Sequence, residues 1–183
     1  MQIKKVEEIH STKWLTFKSA TYLNKEGKEL KWDWISRKGG REVVTCICHS
    51  KTSNKYLLIT QPRVACNKIV IEFPAGLVDE GENYEQAALR ELKEETGYVG
   101  EVKNVILPVV KSAGLTDEAT AIVEFIVDEK AISKTEMEET EDIQHVWLTP
   151  SAILKLIKEL DREKYAVDTL VTSYFLGYAS KKK

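Results

Sequence analysis

The spacing of apolar and polar positions changes several times along the chain, and each change marks an element. Residues 14–23 and 28–35 flank a turn at Asn24-Lys25-Glu26-Gly27 and read as a small antiparallel β-ribbon. After the charged, glycine-containing break Arg37-Lys38-Gly39-Gly40-Arg41 come apolar runs of strand length at 42–48, 56–60, 69–73, 102–110, 119–127 and 143–148. Over 84–96 the spacing becomes helical. There Asn83 and Gln86 stand as a capping box, and Gly97 falls where a left-handed C-terminal cap is expected. Thr149-Pro150 sets a cap residue before proline at the first helical position and opens a second helix to about 160; a third is expected over 166–179. The fold class is therefore α+β, with helices on both faces of a sheet, an α/β/α sandwich, and the break near residue 40 divides a 1–40 ribbon from a 41–183 domain.

The 84–96 helix carries the candidate chemistry. Glu91 and Glu95 lie four residues apart and share a face, with Glu94 at its edge. Like charges at that spacing cost about 0.2 to 0.5 kcal/mol per pair, and they sit near the negative end of the helix dipole. A divalent cation would reverse that cost, and oxygen ligands that share a site with phosphate suit Mg2+ or Mn2+. Arg90 can pair with Glu94 on the helix or reach back to Glu82, and so hold the carboxylates. Ala88, Leu89 and Leu92 on the opposite face are expected in the core.

An acidic helix face is ordinarily just solvated. Here, however, Gly76, Glu82, Arg90, Glu91, Glu94, Glu95 and Gly97 fall in the register G-x5-E-x7-R-E-U-x-E-E-x-G-U, where U is bulky and apolar. Seven fixed positions are poorly explained by chance, and the segment resembles the signature of the Nudix hydrolases. That resemblance implies a mixed sheet bearing the signature helix.

Composition narrows the surroundings. A chain of 183 residues with 43% apolar content suits one compact domain with a small appendage, leaving no room for a second catalytic domain. Twenty-seven basic against twenty-nine acidic residues give a net charge of −2, which argues against a broad surface for nucleic acid or membrane. MQIKKVEEIH has no apolar signal-peptide core and no run approaches eighteen apolar residues, so a cytoplasmic location is expected. Cys46, Cys48 and Cys66 are odd in number, as reduced thiols would be. Cys46 and Cys48 would project to one face of a strand without a second ligand pair, so a buried structural role is expected.

The resemblance extends beyond the signature. IEFPAGLVDEGE, the upstream Gln61-Pro62-Arg63, and Trp14 through Lys28 with Trp32 are similar to the ADP-ribose pyrophosphatase branch. It implies a homodimer whose N-terminal β-elements exchange contacts and stack an aromatic from each subunit on the adenine ring. Trp14 and Trp32 match those positions, and Trp34, of the same strand parity, competes with Trp32. Many members of the branch carry proline in a Ser-Pro-Gly-like loop where this chain has Ser112-Ala113-Gly114-Leu115-Thr116, which leaves the substrate less defined; Gly114 is the candidate contact.

The implied reaction is metal-dependent hydrolysis of a nucleoside diphosphate derivative, foremost ADP-ribose to AMP and ribose 5-phosphate. Another nucleotide sugar or a dinucleotide is the alternative substrate, and a non-catalytic nucleotide-binding module the alternative class. Glu91, Glu95 and Glu94, and by resemblance the Ala75 carbonyl, would hold the metal. Arg63 has the planar fork that suits a phosphate. Within the acidic stretch 136–142, Glu139 or Glu141 would serve as base, although a solvated acidic loop accounts for that composition equally well.

Overall fold

A computed structural model of the chain describes residues 1–135 and 142–181; Glu139 and Glu141 lie outside them. Strands β1 (Gln2–Ser11), β2 (Leu15–Leu23) and β3 (Glu29–Arg37) form a separate antiparallel sheet in the order β1-β2-β3. The sequence reading gives β2 and β3 but not β1. The apolar residues of β1, Ile3, Val6 and Ile9, recur every third position, and register shifts at Ile3/Lys5 and Glu8/His10 break the two-residue alternation that identifies a strand.

The remaining strands are β4 (Val43–Ser50), β5 (Tyr56–Arg63), β6 (Lys68–Glu72), β7 (Ala75–Leu77), β8 (Tyr98–Val110), β9 (Ala119–Ile132), β10 (Gln144–Leu148) and β11 (Tyr165–Val167). They make a mixed sheet in the order β11-β6-β5-β4-β9-β8, with β10 beside β5 and β7 beside β4. The β4–β9 and β6–β11 pairs are parallel and the rest antiparallel. Helices α1 (Tyr84–Thr96), α2 (Pro150–Glu159) and α3 (Thr169–Ser180) complete the fold. Residues 166 and 167, expected at the start of the third helix, instead belong to β11, which extends the sheet along β6. The helix begins after Asp168, whose carboxylate accepts from Leu170 N at 2.7 Å.

Central β4 explains the layering. Val44, Cys46 and Cys48 face α1 and pack with its Ala87, Ala88 and Leu92, while Ile47 on the other face joins Ile153 of α2 and Val171 and Phe175 of α3. A strand buried on both faces reads as a nearly continuous apolar run, as VVTCIC does. Both cysteines are fully buried, burial pushes their thiols up, and Cys46 donates to Ala88 O at 3.4 Å. No helix among the described residues is long and apolar enough to cross a membrane.

The sheet opens beside β4. On the edge away from β9, β4 pairs with β5 only at His49–Tyr56, and its other end, Val43 to Thr45, pairs with β7. Cys46 N donates to Pro74 O at 2.7 Å between them. This brings β7 under α1.

Candidate active site

Helix α1 is fixed at both ends by local hydrogen bonds. Asn83 Oδ1 accepts from Gln86 N at 2.9 Å and Gln86 Oε1 from Asn83 N at 3.0 Å, while Gly97, at φ 74°, donates to Lys93 O at 2.8 Å. A β-carbon at Gly97 would fall 2.2 Å from Ser133 O, so glycine is required by approach as well as by φ.

With the ends set, Glu91 points at β7. An ideal β-carbon built on Gly76 would lie 1.9 Å from Glu91 Cδ and 2.1 Å from each of its oxygens. Glu95, one turn on, is 3% exposed, and its Oε2 accepts from Ala75 N at 3.1 Å. A buried carboxylate is costly unless paired, and the β7 backbone supplies one of its donors.

Arg90 organises the outer half of the group and uses both pairings that the sequence leaves open. Its Nε and Nη2 donate to Glu82 at 2.9 and 2.8 Å, Nη1 to Glu91 Oε1 at 2.8 Å and Glu94 Oε2 at 3.1 Å, and Nη2 to Leu77 O at 2.9 Å. The two-pronged bond from Arg90, opposed by partial burial, holds the Glu82 carboxyl at about 2, well below its ordinary 4.5. Arg41 joins this loop through an ion pair with Asp79, which its spacing alone does not single out.

Glu91 and Glu95 reach β7, at Gly76 and Ala75 N, and Glu94 is tied to Glu91 through Arg90, so that the three present hard oxygen donors. Among the described residues no three acidic, histidine or cysteine side chains converge into a cage for an ion. Mg2+ commonly takes one or two carboxylates and completes its shell with water and substrate phosphate, so the donor set fits that use.

The other predicted residues are dispersed. Arg63 is held by Glu72, Nε to Oε1 at 2.8 Å and Nη2 to Oε2 at 3.0 Å, and these bonds, against partial burial, raise its already high pKa. Glu72 sits inside the IEFPAG run, but nothing in its spacing identifies Arg63 as its partner. Trp32, 51% exposed, lines an apolar cavity of about 410 Å3 together with Trp34, Ala20, Tyr22 and Ala113. Trp34 Nε1 donates to Asp117 Oδ2 at 2.9 Å and to Ser36 Oγ at 3.1 Å, whereas Trp14, 68% exposed, lies under the Lys13 ammonium. Trp14 precedes β2, and Trp32 pairs with Ala20 six residues further on, roughly 20 Å along the strand. One copy of the chain therefore does not bring Trp14 to Trp32. Gly114 lies in the turn closed by Leu115 N and Thr116 N on Ser112 O, both at 2.9 Å.

Residues 40–169 match the NUDIX domain family. The chain belongs to the Nudix family. Over 195 residues it is 30% identical to an ADP-ribose pyrophosphatase of Saccharomyces cerevisiae, spanning 100% of this chain and 84% of the relative. Over 124 residues it is 36% identical to an ADP-sugar pyrophosphatase of Mus musculus, spanning 64% of this chain and 57% of the relative. A crystal structure of an ADP compounds hydrolase superposes with a TM-score of 0.71 at 21% identity, over 87% of this chain and 84% of that one, which establishes the shared fold. Of the signature positions in this Nudix chain, Gly76 lies on β7, Arg90, Glu91, Glu94 and Glu95 on α1, Glu82 just before that helix and Gly97 at its C-terminal cap.

Proposed function

We propose that the protein hydrolyses the diphosphate bridge of ADP-ribose, releasing AMP and ribose 5-phosphate, with Mg2+ or Mn2+ as the required cation. The observation that carries the reading is the Glu91–Gly76 approach, with Glu94 and Glu95 alongside and Arg90 tying the loop to the helix. A non-catalytic module would have little reason to keep Glu91, Glu94 and Glu95 along one side of a helix, where like charges repel. The yeast relative's name supports ADP-ribose; the murine relative's name makes a sugar nucleotide the competing substrate.

Glu91, Glu95 and Glu94, with the Ala75 carbonyl, would hold the cation. When bound, it would neutralise diphosphate charge and acidify an attacking water. Arg90 keeps Glu91 and Glu94 oriented before substrate arrives, which is a positioning role. Arg63, whose bonds to Glu72 engage Nε and Nη2, offers Nη1 to a phosphate oxygen. Glu141 or Glu139 would take the proton from water, a role that rests on the family resemblance. Gly114, in the turn beside Ala113, would approach the substrate through its backbone.

The adenine is assigned to Trp32 of one subunit and Trp14 of another, with the 1–40 segment as the dimerisation element and 41–183 as the hydrolase domain. The distance between the two tryptophans within one chain supports this, as do the exposed Ile3, Val6, Ile9 and Phe17 of the N-terminal sheet. The small-molecule substrate requires neither nucleic acid nor membrane, and the buried thiols suit the cytoplasm. The test is a substrate panel of ADP-ribose, sugar nucleotides and dinucleotides with Mg2+, Mn2+ or chelator. ADP-ribose should be turned over most efficiently and only with metal; a faster sugar nucleotide would replace the substrate assignment, and turnover in chelator would overturn the metal.

A further inference from the structure

The connection between β8 and β9 turns back onto the N-terminal sheet. Ile35 N donates to Leu115 O at 2.9 Å, and Ile35 forms a parallel bridge with Thr116. Beside that bridge a single oxygen, Asp117 Oδ2, accepts from Trp34 Nε1 at 2.9 Å and from buried Ser36 Oγ at 2.5 Å. Arg37 and Glu118 form an ion pair at the next positions. The Trp34 ring and Ala113, four residues before Asp117, both line the cavity that Trp32 overhangs.

We propose that Asp117 is a positioning residue for substrate binding: it locks the Trp34 indole and the 112–118 loop in one arrangement, so that Trp34 and Ala113 form fixed walls beside Trp32. The proposal rests on the reading that Trp32 stacks on the substrate's base. An indole on a half-exposed strand can turn about two side-chain bonds, and a hydrogen bond to its N–H selects one orientation. Because the accepting oxygen also serves Ser36 and belongs to the loop carrying Ala113, the two walls are coupled. Without the carboxylate, both must be ordered when substrate binds, which weakens binding. The diphosphate-cleaving group at Glu91 and Glu95 belongs to α1, which the Asp117 bonds do not touch, so the chemical step should change little.

The test uses the full chain with Mg2+ and ADP-ribose. D117A should raise KM about tenfold with kcat within about twofold, the pattern of lost uniform binding. It should also speed amide hydrogen exchange at 33–37 and 112–118. D117N, which keeps an oxygen acceptor, should restore KM to within about threefold of native. W34F keeps an aromatic ring, though a smaller one, and loses the N–H, so it should reproduce part of both effects and serves if D117A does not fold. Unchanged exchange in the 112–118 loop of both D117A and W34F overturns the proposal, as does a loss confined to kcat. W32A separates the two ideas: if it raises KM while D117A and W34F do not, the positioning role fails and the stacking reading stands. If W32A leaves KM unchanged, stacking fails, and the exchange measurement alone decides whether Asp117 orders the loop.

Discussion

Glu91 and Gly76 are in contact across the gap between α1 and β7, with the carboxylate filling the space that any side chain at position 76 would need. What glycine provides at this signature position is room for a neighbour fifteen residues away in sequence, not a special backbone angle. Replacing it displaces the carboxylate. Gly76→Ala is expected to change stability little, because the atoms in its way are the far end of the flexible Glu91 side chain, and to lower kcat by about a hundredfold through misplacement of Glu91. Thermal melts and steady-state kinetics check both; a kcat near that of the native protein would remove Glu91 from the chemistry.

Glu95→Gln and, nearly as strongly, Glu91→Gln should abolish turnover without unfolding the chain. The amide preserves volume but removes the charge that binds a cation, and the helix loses like-charge repulsion. Mn2+ titration followed by electron paramagnetic resonance should register weakened binding, with little change in the far-ultraviolet circular dichroism. Native rates for either variant at saturating Mg2+ would contradict the metal assignment.

Acid should release the Arg90 network in a defined range. The folded Glu82 carboxyl is held at about 2 against an ordinary 4.5, so its stabilising contribution is complete above 4.5 and is lost as the pH falls from there toward 2. The difference in melting temperature between the native protein and Glu82→Gln should therefore be constant near neutrality and shrink below pH 4.5. A difference that persists undiminished at pH 3 would mean that the Glu82–Arg90 pair does not carry it.

Trp32→Ala and Trp14→Ala should each raise KM for ADP-ribose about five- to a hundredfold, by analogy with the roughly 1 to 3 kcal/mol that stacking on an aromatic contributes per base. The effect on kcat should be smaller if the stack is alike in ground and transition states. Unchanged KM in both variants, together with a better sugar-nucleotide substrate, would leave only the general pyrophosphatase reading.

Light scattering should report a homodimer at micromolar concentration. A monomer would separate Trp14 from Trp32 permanently and rule out the shared base site.

Local spacing alone specifies α1 and the face that its acids share. Asn83, Gln86 and Gly97 close hydrogen bonds within a few residues, so the helix ends, and with them the common face of Glu91 and Glu95, follow from local spacing. The second helix likewise starts at Thr149-Pro150, as its cap requires. What faces that helix depends on contacts between distant segments. Strands β7 and β11 are three residues long and exist because β4 and β6 supply partners, while β1 hides behind register shifts that only its pairing with β2 reveals. The sequence could name two partners for Arg90, but only the fold engages both at once and adds Leu77 O. It left Trp34 level with Trp32, and an acceptor 83 residues away fixes the Trp34 indole while Trp32 remains half exposed. The division follows from range: caps and helical faces are set by bonds between near neighbours, whereas sheet order, the Gly76–Glu91 contact and the Asp117 bonds depend on segments that meet only once the chain has closed its loops.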